Sequence, residues 1–368
     1  MRVLVVSRLS SSPPELGKLL SLAGLGAEPT VLVPDVPGSP DSSRFSAEGG
    51  VRIIPVRAHG DLADPATLRW SRRAIRRAIR EFRPELIQLE EECWHPVAAD
   101  VAHEARRARL PLVGFAREPW PARLPLRTTL RARKTLRGMA AVTATSRLAI
   151  PPLLSLRPDL RVVTVPQAGV SVPGTPAQPD GIEVTLGYSG RLVEWRGVDL
   201  LLQAAAQVRG DWALMISGTG PAQVELEALA ERLGTAARIS WLGAQPRQQR
   251  VELLDRLDVL VAPYRETPEQ QELVGAPVML AMAHGIPVVA TRTGVLPELL
   301  DDSGLLVPPD DVGALAEALQ TLVADAERRR NLGQAGRRRA QEEFSNDAVA
   351  RRTLDLWREI VADRPASG

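Results

Sequence analysis

Arginines and glycines recur in the second half of the chain at spacings that suit an anion. In the segment GYSGRLVEWRGVD, Gly187 to Asp199, Gly190 and Arg191 follow an apolar run, and Arg196 and Gly197 open a helical stretch. Two guanidiniums beside a helix N-terminus suit a diphosphate. Surface arginines at a turn are the alternative reading. A Gly-rich turn follows in ISGTGP, Ile216 to Pro221, where Gly218 and Gly220 let backbone N–H groups approach a phosphate or sugar. The third glycine position of a dinucleotide fingerprint holds Gln223 and there is no GxxxxGK[ST] loop, so a plain tight turn also fits. In ELVGAPVMLAMAHGIPVVA, Glu272 to Ala290, a carboxylate and Gly275 precede a helix that Gly285 and Pro287 close, and Thr291 to Leu300 forms another strand-to-helix loop. The Glu272 carboxylate and the amides after it are expected to face the same ligand as Arg191. A solvated loop carboxylate is the alternative.

Metal chemistry finds little material. Cys93 is the only cysteine, and His59, His95, His103 and His284 are scattered without a ligand pattern. No Asp-x-Asp cluster lies near the diphosphate segment, so no metal and no cofactor is expected.

The elements that must position these residues can be read from apolar runs. Val3 to Val6, Val31 to Val33, Val51 to Val56, Leu86 to Leu89, Leu112 to Phe115, Ala140 to Ala144 and Arg161 to Val165 read as strands. Helical spacing predicts helices around Leu16 to Ala23, over 68–82 with Leu68, Ile75, Ala78, Ile79 and Phe82 on one stripe, and near Val97 to Ala108. The Pro- and Gly-rich stretch Pro173 to Asp180 reads as a linker. Strands then recur at Val184 to Tyr188, Trp212 to Ser217, Ile239 to Leu242, Val259 to Ala262 and Pro287 to Ala290. Helices alternate with them at Asp199 to Val208, Ala222 to Leu233, Gln248 to Leu257 and Val278 to Ala283. The expected fold class is α/β, with two doubly wound Rossmann-like domains facing across a cleft. The domains are 1–172 and 184–345, joined by a linker at 173–183, with a C-terminal helix at 346–362.

Composition agrees. The chain has 368 residues, 44% hydrophobic and 24% charged, which suits two ordinary domains and excludes a disordered chain, a collagen-like fibre or a small disulfide scaffold. The net charge of +2 gives no reason to expect nucleic acid. Of the basic residues only Lys18 and Lys134 are lysine. No apolar run approaches the roughly 20 residues of a membrane span, and the start, MRVLVVSRLSS, is too quickly polar for a signal peptide, so a cytoplasmic protein is expected.

The order SGRLVEWRGVD, ISGTGP, WLG, AP, ELVGAPVMLAMAHGIPVVA, GVLPE, SGLLVPPDD resembles the retaining glycosyltransferases of family 4, with the GT-B fold. The resemblance covers the second half well and the first half more loosely. It implies that Arg191 and Arg196 bind the donor diphosphate, Arg196 standing where the family usually has lysine. It implies that Glu272, the first glutamate of the family's E-x7-E motif, contacts the donor sugar. Gly275 and Ala276 would offer backbone amides, and Gly190, Gly218 and the Leu242–Gly243 turn would shape the nucleotide pocket. The second motif glutamate, which holds the ribose in the family, falls at Leu280, and leucine cannot accept those hydrogen bonds. Glu298 is the nearest substitute in sequence.

On the first half, SSSPPELGK, Ser10 to Lys18, resembles the family's Gly-Gly loop after the first strand, with only Gly17 matching and Leu16 in the other position. A plain surface loop is the alternative. Glu90, Glu91 and Glu92 end the fourth strand and are expected on the acceptor side, one or two of them solvated because three adjacent carboxylates cannot all face one way. Where retaining members often carry a histidine, the chain has Arg117 followed by Glu118, which suits an anionic group or a salt-bridged pair.

Two stretches are rich in arginine: Arg69, Arg72, Arg73, Arg76, Arg77, Arg80 and Arg83, and Pro119 to Met139. In the second, Trp120, Leu124, Leu126 and Leu130 interleave with Arg123, Arg127, Arg131, Arg133, Lys134 and Arg137. A basic amphipathic stretch can lie on an anionic membrane, and a solvated helix face is the alternative. The last helix, with Leu354, Trp357 and Ile360, resembles one that crosses back to the N-terminal domain, and Asp363 to Gly368 reads as a frayed tail.

These readings lead to a sugar transferase. It would pass a sugar with retention from a nucleotide-diphosphate donor to a sugar, lipid-linked or small-molecule acceptor, in polysaccharide or glycolipid synthesis. Peripheral contact with the inner face of a membrane is compatible with it. A nucleotide-sugar epimerase, or a non-catalytic GT-B scaffold supported by Leu280, are the alternatives.

Overall fold

The structure, a computed structural model, describes residues 1–8, 13–36, 49–119, 125–177, 183–267 and 270–363. Ser10 to Ser12, Trp120, Arg123, Leu124, Asp180 and the tail beyond Asp363 lie outside the described residues. The chain divides into two compact units, Met1–Gly169 with Asn346–Gly368, and Val170–Ser345.

In chain order the first unit begins with β1 (Arg2–Ser7), α1 (Pro13–Gly24), β2 (Glu28–Asp35), β3 (Arg52–His59), β4 (Arg69–Trp70), α2 (Arg72–Phe82) and β5 (Leu86–Glu90). It continues through α3 (Pro96–Arg107), β6 (Leu112–Ala116), α4 (Leu126–Leu136), β7 (Ala141–Ala144), α5 (Ile150–Leu156) and β8 (Val162–Thr164). The second unit holds β9 (Val184–Ser189), α6 (Val198–Ala205), β10 (Trp212–Ser217), α7 (Gln223–Arg232), β11 (Ile239–Gly243), α8 (Arg247–Leu254) and β12 (Val259–Ala262). After these come α9 (Ala276–His284), β13 (Val288–Thr291), α10 (Leu296–Leu300), β14 (Leu305–Val307), α11 (Val312–Ala324) and α12 (Ala326–Arg339). The last helix, α13 (Asn346–Ala362), belongs to the first unit.

The first sheet runs β4-β3-β2-β1-β5-β6-β7-β8 and the second β11-β10-β9-β12-β13-β14. All pairings are parallel except that of β3 with β4. Parallel strands covered on both faces are buried along their length, which is why β1 reads as an unbroken apolar run from Val3 to Val6, while β5 is interrupted by the buried Gln88. Alternate residues of β1 serve opposite faces. Val3 and Val5 pack with Leu19, Leu22, Leu354 and Trp357 of α1 and α13, while Leu4 and Val6 pack with Ile75, Val97 and Val101 of α2 and α3. The Trp357 indole N–H, which needs a partner once buried, donates to Gln88 Oε1 at 2.9 Å and so ties α13 to β5.

The stripe over 68–82 predicts one helix, but α2 begins only at Arg72. Ser71 caps it, its hydroxyl accepting from the Ala74 amide at 3.3 Å, and Arg69–Trp70 pair with β3 as an edge strand instead. Three of the five arginines of α2 are paired with carboxylates, while Arg73 and Arg80 are exposed. Arg76 donates to both oxygens of the buried Glu104 at 2.8 and 2.9 Å, Arg72 reaches it at 3.3 Å, and Arg77 pairs with Glu81.

The Pro- and Gly-rich stretch is tied to the second unit as far as Ala177. The Ala177 amide donates to His284 O at 2.7 Å, and Arg337 donates to the carbonyls of Pro173 and Gly174. The second unit accordingly starts at Val170, earlier than composition suggests.

Candidate active site

In the second sheet β9 lies beside β12, and the strand order runs outward in opposite directions from that pair. Such a switch point opens a crevice at the carboxyl ends of the strands. The two strands pair only at Leu186 with Val259 and Gly187 with Leu260, so their ends beyond these residues are free to diverge. The loops after β9 and β12 carry Arg191, Arg196 and Glu272.

Arg196 Nη1 donates to Glu272 Oε2, with the two side chains 19% and 7% exposed. The guanidinium lies in the angle between two rings, 4.1 Å from the Trp195 centroid and 4.4 Å from that of Tyr264. Burial disfavours its charge, but Tyr264, Glu272 and Tyr188 outweigh burial and hold it above its ordinary value. Burial pushes the Tyr264 hydroxyl up to about 12, and pushes Tyr188 higher still.

Glu272 is fixed by its own loop. Its Oε1 accepts from the amides of Val274 at 3.1 Å and Gly275 at 2.8 Å, and its carbonyl accepts from Val295 at 2.9 Å. Gly275 caps α9 with φ of 63°, and a Cβ there would meet the Leu299 side chain at 2.2 Å. The amides that open α9 follow directly, with Ala276 exposed as its first residue.

Gly218 is required by contact and by conformation. Its φ is 146°, and a Cβ would lie 1.7 Å from the Gly190 carbonyl oxygen. Its amide donates to Gly243 O at 2.8 Å while the Gly190 amide donates to Ser217 O at 2.9 Å, so the ends of β9, β10 and β11 are laced together. The Arg191 side chain is exposed, and its carbonyl accepts from the Tyr188 hydroxyl at 2.8 Å. Leu280 is partly buried against the core of the second unit. Glu298 lies in the first turn of α10, its carbonyl accepting from Arg339 at 2.9 Å.

The first sheet has its own switch point, between β1 and β5. There the expectation of solvated glutamates is overturned: Glu90, Glu91 and Glu92 are 4%, 3% and 3% exposed. Each faces a different partner. Glu90 Oε1 takes the buried Lys18 ammonium at 2.5 Å, and Glu91 meets His95 Nδ1 at 3.0 Å and the Arg8 amide at 3.2 Å. Glu92 Oε1 accepts from the amides of Arg117 and Glu118 at 2.8 and 3.1 Å, while its other oxygen is buried without a hydrogen-bond partner. Burial pushes Glu92 up to about 8, against the pull of those amides. Arg117 pairs with Glu118 at 3.2 Å. Gly17 is not in a loop but inside α1, where a Cβ would lie 2.6 Å from the Asn346 side chain.

Sequence reasoning missed Tyr264, Arg265, Lys18 and His95. Arg265 takes both Asp199 oxygens at 2.7 Å and Asp310 at 2.8 Å, and these bonds, Asp199 first, raise it above its ordinary value. For Tyr264 and Lys18 rarity was the available signal. Both tyrosines of the chain sit in the Arg196 network, and one of its two lysines is the buried partner of Glu90.

Residues 178–339 match the family model described as Glycosyl transferases group 1, and residues 19–168 match that described as Glycosyl transferase 4-like domain. The D-inositol 3-phosphate glycosyltransferase of Corynebacterium jeikeium is 34% identical over 187 residues, 48% of this chain and 43% of that protein, so the match spans less than half of the relative's length. Sucrose-phosphate synthase from Thermosynechococcus elongatus superposes with a TM-score of 0.73 at 20% identity, covering 99% of this chain and 100% of that one. HepE of Anabaena in complex with UDP gives 0.75 at 18%, covering 98% and 100%. These likenesses establish the fold.

Proposed function

Because the chain belongs to the GT-B glycosyltransferases, matched in both its halves, we propose that it moves a sugar, with retention, from a nucleotide-diphosphate donor to an acceptor hydroxyl. The observation that carries this reading is the meeting of Arg196 and Glu272 at the switch point of the second sheet. Arg196 and the exposed Arg191 neutralise charge as it builds on the leaving diphosphate, the step where preorganised charge counts most. Glu272, released from Arg196 by the incoming phosphates, accepts from donor-sugar hydroxyls. The amides of Gly275 and Ala276 contact the sugar and phosphate. Gly190, Gly218 and Gly243 bring backbone against the nucleotide, and Glu298 stands by for the ribose in place of Leu280. No divalent cation is required, and turnover should survive a chelator.

The first unit takes the acceptor. Glu90 and Glu91 are engaged by Lys18 and His95, so they order the site, and the more exposed Arg117 with Glu118 is the pair we assign to the acceptor. A lipid-linked acceptor is favoured by α4, where Leu126 is 75% and Leu130 56% exposed, beside the exposed Arg127, Arg133, Lys134 and Arg137. No helix among the described residues is long and apolar enough to cross a membrane, so contact would be peripheral.

The test is a thermal-shift panel of uridine, guanosine, adenosine and thymidine diphosphates, followed by turnover with the matching sugars. A ligand that binds only the folded state raises stability by RT ln(1 + [L]/Kd). One base should raise the melting temperature, and Arg191→Ala and Arg196→Ala should abolish the rise. Leu280, partly buried against the core and no hydrogen-bond acceptor, supports the second reading, a scaffold without turnover. No shift with any base would favour it.

A further inference from the structure

We infer that Trp195 and Tyr264 are positioning residues for the proposed transfer, their rings fixing the plane of the Arg196 guanidinium so that the diphosphate site is built for arginine and not for lysine. This rests on the reading that Arg196 binds the donor diphosphate.

The geometry argues for it in three steps. First, the guanidinium has both rings within 4.4 Å, and the rings stand at 66° to each other with centroids 6.1 Å apart, so they form a wedge that accepts a flat cation in one orientation. Second, hydrogen bonds alone do not hold the group. Among the described residues its ion pair is with Glu272, and Nε is buried without a hydrogen-bond partner. When a diphosphate displaces Glu272, the Trp195 and Tyr264 side chains are what remain among the described residues to hold Arg196 in place. Third, the wedge is braced from outside. The Arg265 amide donates to Trp195 O at 2.8 Å and its side chain to Glu194 O at 2.9 Å, while the Thr291 hydroxyl donates to Tyr264 O at 2.5 Å. A guanidinium stacks on aromatic faces and presents a planar fork. An ammonium on a flexible stem has no plane to fix.

The experiment compares binding of uridine diphosphate with uridine monophosphate by calorimetry, or the same pair for whichever base the panel selects. The affinity ratio isolates the second phosphate, and general loss of structure does not move it selectively. Trp195→Leu and Tyr264→Leu should each lower the ratio about tenfold, and Trp195→Phe and Tyr264→Phe should restore it to within about twofold of wild type. Arg196→Lys should lose as much as Arg196→Ala. Should Tyr264→Leu fail to fold, the half-buried Trp195 carries the same test. A wild-type ratio in Trp195→Leu, or in Arg196→Lys, overturns the inference. A wild-type ratio in Arg196→Ala, or no binding of any diphosphate by the wild type, instead overturns the assignment of the diphosphate to Arg196, and the wedge falls with it.

Discussion

The Lys18 ammonium and the Glu90 carboxylate meet 2.5 Å apart at the switch point of the first sheet, both nearly closed to solvent. Removing one member of a buried pair leaves an uncompensated charge and costs about 3–5 kcal/mol. Glu90→Gln, which leaves the buried Lys18 ammonium without its carboxylate, should lose about that much in urea unfolding. The double variant Lys18→Met/Glu90→Leu should recover most of it. Equal losses in single and double variants would show that the pair is not what the fold depends on.

Glu92 makes stability depend on pH. Its folded-state value, raised by burial to about 8, lies above that of the unfolded chain. Between roughly pH 4.5 and 8 only the folded state keeps the proton, so stability falls as pH rises through that window, by at most about 1.4 kcal/mol per unit, and levels off above it. Glu92→Gln should flatten this slope and be more stable than wild type at pH 8 but not at pH 4.5. Parallel stability profiles for the two proteins would refute the assignment.

Gly218→Ala should weaken nucleoside diphosphate binding at least tenfold. The new methyl would meet the Gly190 carbonyl, and φ of 146° strains any other residue by roughly 1–3 kcal/mol. The first unit packs its own core, so the loss should be confined to the second unit. Calorimetry with differential scanning should show weaker binding and one early transition. Unchanged binding would mean the turn does not touch the nucleotide.

Leu280→Glu introduces a carboxylate at the position where the resemblance implies a ribose-binding glutamate. It should tighten binding of a nucleoside diphosphate about tenfold, at some cost in melting temperature because Leu280 packs on the core. The gain should vanish with a 2′,3′-dideoxy analogue. A gain that persists with that analogue would place the new carboxylate elsewhere than the ribose.

On α4, Leu126→Ser/Leu130→Ser should reduce sedimentation with anionic vesicles several-fold at low salt. Neutral vesicles should bind neither protein. Equal sedimentation of variant and wild type would remove α4 from any membrane contact.

The alternation of apolar strands and amphipathic helices was legible because parallel strands buried on both faces favour continuous apolar runs, as Val3 to Val6 of β1 and the whole of β12 show. Short edge elements such as β4 were not legible, since Arg69 and Trp70 carry no period of their own and Ser71 decides where α2 starts. In the second half the residue order singled out Arg191, Arg196, Glu272 and Gly275, which lie in segments whose glycines and turns mark them, and the structure brings Arg196 to Glu272. In the first half it misled, since three adjacent glutamates read as partly solvated are all buried.

By itself, then, the sequence determined the class of fold, the two sheets and the residue types of the loops after β9 and β12, because these follow from local pattern and spacing. Only the tertiary structure decided what each charge faces. Which strand ends lie side by side is a matter of strand order, and strand order brings Arg196 to Glu272 and Lys18 to Glu90 across 76 and 72 residues of chain. No local rule reaches that far. A carboxylate's partner, and with it its burial and protonation, is set by the crossovers that close the sheet around it.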